Sequence, residues 1–267
     1  MKALWLGLLV LMSVSLARAQ EPDDMIIVRR LSTHVMQVRG ATLGSAVALG
    51  EHLAVTNCHV LGDRFTVDVM RGGLGSTASV KAGDTGHDLC LLEVESSPSF
   101  PVKLGRATAL APGHKVYAIG FGAGRLSFGA GTIEALYPYE DSFIIRTDAP
   151  FGAGASGGAL FDSQANLVGV LTFFRRGAQT SSYWAMPPEW IVALTDSKST
   201  TVDRSRLPIW SEKRAASIVF LEVAAREIDG EWREMRERAQ QWLLDDPGNQ
   251  HAIRALHYAN SKLLTPY

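Results

Sequence analysis

From residue 25 to residue 94 the chain is written in short, strand-like runs separated by glycine. Residues 35–38, 45–49, 53–56, 65–70 and 89–94 are rich in β-branched and apolar side chains, and Gly40, Gly44, Gly50, Gly62 and the pair Gly72-Gly73 punctuate them. Runs of this length are too short for helices and suit antiparallel strands in a sandwich or barrel. A polar, proline-containing stretch over 96–112 interrupts the pattern. A second series follows at 115–120, 129–136, 143–147, 158–161, 167–174 and 183–186. Two blocks of similar size predict an all-β fold of two six-stranded antiparallel β-barrels, residues 25–100 and 113–195, rather than one sheet. No helical period of useful length is read before about residue 187.

The 267 residues are 46% hydrophobic and carry a formal charge of −1. That is enough apolar material for a sizeable core, and it offers no electrostatic footprint for nucleic acid. The amino terminus has a different purpose. Lys2 precedes an apolar run over 3–16, and Ala17-Arg18-Ala19 supplies small residues at cleavage positions. The run is shorter than the roughly 20 residues a bilayer-spanning helix needs. Residues 1–19 are therefore read as a cleaved signal peptide. The expected location is exported, periplasmic or secreted, with no stable membrane insertion once the signal is removed.

The composition shifts after Asp203. Leu221, Ala225, Ile228, Trp232, Met235, Ala239 and Trp242 step by threes and fours, one apolar face of a helix. Asp229-Gly230 interrupts the face and Asp246-Pro247-Gly248-Asn249 ends it. Residues 205–267 are thus expected to form an α-helical extension: a hairpin, then a third helix over about 250–263. Its turns resemble those of a tetratricopeptide repeat, although Glu222 and Arg226 fall where that repeat is apolar. One repeat cannot stand alone. The helices must cover apolar barrel surface or meet a protein partner or a second copy.

Three stretches could carry chemistry. Gly154-Ala155-Ser156-Gly157-Gly158-Ala159-Leu160 places a serine on a glycine-rich turn, where backbone N–H groups can converge on one point. Val55-Thr56-Asn57-Cys58-His59-Val60 ends a strand with a histidine, and His87-Asp88-Leu89 opens one with an aspartate. An acid that orients an imidazole, which in turn deprotonates a hydroxyl, makes an activated nucleophile. The order His, Asp, Ser is that of chymotrypsin-type enzymes.

On these residues the chain resembles the trypsin-like serine proteases, and their HtrA/Deg branch most closely. The Thr-Asn-x-His-Val, Asp-Leu-x-Leu-Leu and Gly-x-Ser-Gly-Gly-Ala-Leu blocks match, as do Thr147-Asp148-Ala149 before the serine and Ala185-Met186-Pro187 after it. The resemblance spans about residues 28–195. It implies a chymotrypsin-like double barrel and a serine endopeptidase acting on peptides or unfolded protein through an acyl-enzyme, with no cofactor and no metal. His59 would be the base, Asp88 its orienting partner and Ser156 the nucleophile. The N–H groups of Gly154 and Ser156 would form the oxyanion hole, and Leu171, Thr172 and Phe173 would contact substrate.

The same fold would set the histidine's turn beside the aspartate's strand, bringing Cys58 and Cys90 within reach of a disulfide. Some features depart from the family. Ala155 stands where Asp or Asn is usual, and Pro150 occupies the pocket base six residues before the serine. The pocket thus favours a small or medium apolar side chain over Lys or Arg. No Ile-Val-Gly-Gly lies near the mature amino terminus, and the helical extension takes the place of a PDZ module. The rival reading is a protease-shaped binding or scaffold protein that recruits partners through its tail with little turnover.

Overall fold

The structure, a computed structural model, describes residues 23–196 and 201–264; the expected signal peptide lies outside them. The chain enters through a helix, α1 (Asp23–Leu31), where strand-like text was expected. Val28 and Leu31, one turn apart, are both buried, and Arg29 and Arg30 occupy the last turn, where cations suit the carbonyl end. Burial at helical spacing outweighs the β-branched composition of this segment.

The first barrel contains β1 (Val35–Arg39), β2 (Leu43–Ala48), β3 (Leu53–Thr56), β4 (Thr66–Arg71), β5 (Leu74–Asp84) and β6 (Leu89–Val94). The antiparallel order β5-β4-β1-β2-β3-β6 closes through β5–β6 pairing. A single-turn helix, α2 (Cys58–Leu61), follows β3. The sequence reading passed over β5, which is mostly small and polar (Leu-Gly-Ser-Thr-Ala-Ser-Val-Lys) and largely solvent-facing. Its strand state comes from pairing with β4 and β6, not from an apolar pattern.

The second barrel is built from β8 (Lys115–Gly122), β9 (Arg125–Tyr139), β10 (Ser142–Thr147), β11 (Ala159–Asp162), β12 (Asn166–Arg176) and β13 (Ser181–Met186). It closes through β11–β12, and a short β7 (Lys103–Leu104) lies parallel on β12. The fold is therefore two closed six-stranded antiparallel barrels followed by helices.

Strand alternation explains how the barrels join. In the first, Met36, Ala46, Ala48, Ala54 and Leu92 point into its own core. Their neighbours Val35, Val47, Val55 and Leu91 face outward into a cluster shared with Tyr117, Ile119, Phe161 and Trp184 of the second barrel. Successive side chains of a strand face opposite sides. Here both sides are dry, so the usual polar alternation is missing.

After α3 (Pro188–Asp196), a short β14 (Val202–Asp203) pairs parallel with β5, returning the chain to the first barrel. Among the described residues four helices follow: α4 (Glu212–Ala215), α5 (Val219–Asp229), α6 (Trp232–Asp245) and α7 (Gln250–Leu264). Gly230, at φ 77°, ends α5 in the left-handed conformation that glycine tolerates. The Asn249 side chain accepts the N–H groups of His251 and Ala252 at 3.0 Å and caps α7.

The helices pack on the second barrel. Phe220 stacks on Tyr137 with ring centroids 4.6 Å apart, and His251 meets the same tyrosine at 4.6 Å. Arg146 of β10 donates to Glu227 of α5 at 2.6 and 3.0 Å and to Glu134 at 2.9 Å. Burial lowers a cation's affinity for its proton, but the bonds to Glu227 and the nearby negative charges more than offset this and keep Arg146 protonated. Among the described residues no helix is long and apolar enough to cross a membrane.

Candidate active site

Asp88 sits in the turn before β6 at φ 57°, a left-handed conformation uncommon outside glycine, with its side chain fully buried. A bend at this position aims the carboxylate at α2. The backbone N–H of His59 donates to Asp88 Oδ1 at 2.9 Å, and His59 Nδ1 lies 2.6 Å from Oδ2. A carboxylate there keeps the proton on Nδ1 and leaves Nε2 as the free acceptor. Beneath this pair, Cys58 and Cys90 form a disulfide across a Cα separation of 5.0 Å. It joins the residue before His59 to β6, which Asp88 precedes.

The Asp88 carbonyl is held as well. It accepts the Asn57 side-chain amide at 2.8 Å and the Cys58 N–H at 3.3 Å. Asn57 also donates to Thr172 Oγ1 at 3.2 Å, linking the first barrel to β12 of the second.

Ser156 lies in the turn between β10 and β11. Gly154 (φ 93°) and Gly157 (φ 84°) flank it in conformations that a side chain would strain. A Cβ on Gly157 would overlap the Ser45 carbonyl. Ser45 of β2 fastens the turn. Its N–H donates to the Ser156 carbonyl at 2.8 Å, and its hydroxyl donates to the Gly154 carbonyl at 2.9 Å. The Thr56 hydroxyl donates to the Ser45 carbonyl at 2.6 Å, so the residues leading to His59 buttress the serine's loop.

The Ser156 hydroxyl itself donates to the Thr172 carbonyl at 3.0 Å; among the described residues no hydrogen bond joins it to His59. Nor do the N–H groups of Gly154 and Ser156 have an intramolecular acceptor among them.

The three β12 residues have different environments. Leu171 is buried and its backbone bonds Gly157 and Gly158. Thr172 turns its hydroxyl onto the Val170 carbonyl at 2.9 Å. Phe173 is half-buried and stacks on Trp184, with centroids 5.5 Å apart. Beside them Phe151, just past Pro150, meets Phe174 at 5.9 Å and Tyr183 at 5.3 Å. These contacts join the serine's loop to β12 and β13.

One participant was missed by the sequence reading. The indole N–H of Trp210, from the segment between β14 and α4, donates to Asp88 Oδ2 at 2.7 Å. Its ring stands edge-on to His59, with centroids 5.2 Å apart. No motif surrounds Trp210, and 122 residues separate it from Asp88. No local signal could have found it. Among the described residues no group of three His, Cys, Asp or Glu side chains could hold a metal ion.

Comparison with known proteins points to serine peptidases. Residues 44–170 match the family model of the trypsin-like peptidase domain. Periplasmic serine endoprotease DegP of Salmonella typhimurium is 29% identical over 60% of this chain and 36% of its own length. Serine protease HTRA1B of Danio rerio is 32% identical over 48% of this chain and 30% of its own. The chain thus spans well under half the length of these curated relatives. Among solved structures, the HtrA-type protease AlgW with tripeptide superposes with a TM-score of 0.59 at 26% identity, covering 66% of this chain and 63% of that one. Residues 44–170 are therefore similar to the trypsin-like peptidase domain, and the chain is similar to HtrA-type serine proteases, with a helical extension behind the matching region.

Proposed function

We propose that this protein is an exported serine endopeptidase. The observation that carries the reading is the grip of Asp88 on His59, at 2.9 Å to the backbone and 2.6 Å to the ring, which leaves Nε2 to act as a base. In the reaction Ser156 Oγ exchanges the Thr172 carbonyl for His59 Nε2, a side-chain rotation. As Oγ attacks the scissile carbonyl, its proton passes to Nε2 and the carbonyl oxygen becomes an oxyanion facing the N–H groups of Gly154 and Ser156. One such donor contributes about 3 kcal/mol to lowering the barrier. The imidazolium then protonates the departing amine, and water activated by His59 releases the acyl group.

The substrate is a peptide or unfolded protein chain whose backbone lies along β12 near Thr172 and Phe173. Pro150 at the pocket base and the neighbouring cluster of Phe151, Phe174 and Tyr183 support a small or medium apolar side chain before the scissile bond. The leader over residues 1–19, the disulfide and the periplasmic DegP relative support export.

The hydrogen bond from Ser156 to Thr172 rather than His59 favours a second reading, a protease-shaped binding protein with little turnover. A fluorophosphonate probe separates the two. Labelling of the wild type but not of Ser156→Ala is expected, with peptide-library cleavage after small or medium apolar residues. An unlabelled wild type would leave only the binding protein.

A further inference from the structure

We propose that Trp210, supplied by the C-terminal extension, is a positioning residue of the catalytic triad. The proposal rests on the endopeptidase reading above. The Asp88 carboxylate has no access to solvent, so protein donors must meet its charge. Two of the three donors come from a single residue, His59. A carboxylate held from one side can still rock about its Cβ–Cγ bond. The Trp210 N–H reaches Oδ2 from a different segment and supplies the third fixed point. An indole nitrogen only donates, so it steadies the negative charge without competing for the proton. The nearby Thr172 hydroxyl cannot substitute, because it is already spent on the Val170 carbonyl.

The indole is held rigidly against the turn it serves. Ile209 is fully buried and its N–H donates to the Gly86 carbonyl at 3.1 Å, two residues from Asp88. The Thr85 N–H donates to the Asp203 carbonyl at 2.9 Å, and its hydroxyl donates to the Arg206 carbonyl at 2.7 Å. Arg206 spans the barrels, donating to Asp84 at 2.6 Å and Glu140 at 2.7 Å. The strap from Thr201 to Arg214 is thus fastened to the loop that carries Asp88. The Trp210 ring, edge-on to His59, also limits how far the imidazole can swing. The same ring borders a groove of about 430 Å³ with Phe173, Phe174, Glu212 and Ala215, beside the proposed path of substrate.

The test compares three variants of the full chain. Trp210→Phe keeps a ring and loses the donor. Trp210→Gln loses the ring and keeps an N–H three bonds from Cβ, as in the indole. Trp210→Ala loses both. A hydrogen bond to a charged group is worth about 1.5–3 kcal/mol. Trp210→Phe should therefore lower kcat roughly 10- to 100-fold, with KM within about twofold of wild type. Trp210→Gln should retain more kcat than Trp210→Phe. The low-field proton resonance of the His59–Asp88 hydrogen bond should shift in Trp210→Phe. If Trp210→Phe matches or exceeds Trp210→Gln in kcat and the resonance stays put, the ring merely packs and the proposal fails. A wild type that does not react with the fluorophosphonate sinks the endopeptidase reading instead. The resonance, which needs no turnover, then still decides on Trp210.

Discussion

The two barrels share one plan and are held together by different means. The first has a core of small aliphatic side chains, among them Val38, Ala46, Ala54, Val69 and Leu92, with no aromatic ring, and the Cys58–Cys90 disulfide crosses it. The second presents Tyr137 and Trp184 on the face that Phe220 and the helices cover. A core of alanine and valine buries little area per residue, so a covalent tie matters more there. Large rings left in water would form an exposed patch, and the helices remove it. The proposed base and its acid thus stand on the cross-linked half, and the proposed nucleophile stands on the half that depends on a docked tail. The strap bearing Trp210 bridges the two.

The sharpest way to break this contrast is Phe220→Ala. Loss of a buried phenylalanine costs about 3–5 kcal/mol. Hydrogen exchange should show α5 through α7 losing protection while the first barrel keeps its own. Equal loss in both barrels would mean that the tail supports the whole molecule. Replacing Cys58 and Cys90 by serine should act on the opposite side. The cysteines are 32 residues apart, and the chain-entropy model gives a loss of about 3–4 kcal/mol. Denaturant unfolding of the double variant should show this loss, with exchange rising first around β3 and β6. An unchanged midpoint would mean that the small core suffices.

Acidification offers a milder contrast. His251, on α7 of the tail, packs against Tyr137, where burial and then the Arg254 charge push its pKa below the ordinary 6.5, against a hydrogen bond to the Leu136 backbone. A folded pKa below the unfolded one gives stability that is present above about 6.5 and lost as pH falls through the lower folded value. Asp84 anchors the strap. Burial alone would raise its pKa, but His87 and Arg206, through hydrogen bonds and charge, hold it well below the ordinary 3.8. Its contribution is complete above 3.8 and is lost only in stronger acid. Exchange measured across a pH series should therefore find the tail loosening first, beginning below 6.5, and the strap later, below 3.8. The reverse order would contradict both assignments.

How much of this was legible depends on how local each feature is. The glycine-bounded strands, the stop at Gly230 and the break over Asp246-Pro247-Gly248-Asn249 depend on a few neighbouring residues, and they could be read directly. So could the candidate site residues, because each lies in a short motif with its own demands: glycine at positive φ beside Ser156, a histidine closing β3, an aspartate opening β6. The strand β5 could not be read, since its small polar residues are held by neighbours rather than by their own pattern. The helix α1 was misread because composition spoke for strand, while Val28 and Leu31 find their burial only against the folded barrels.

The linear chain by itself therefore determined two β-rich blocks, a helical tail and the three residues proposed for catalysis, since backbone preference and motif chemistry act over a few positions. Tertiary structure alone decided which face of the tail meets Tyr137, where the Ser156 hydroxyl rests, and that an indole from the extension reaches the Asp88 carboxylate. Those contacts join segments far apart in sequence. Their geometry depends on how two closed barrels and a strap pack in space, which no local pattern of residues encodes.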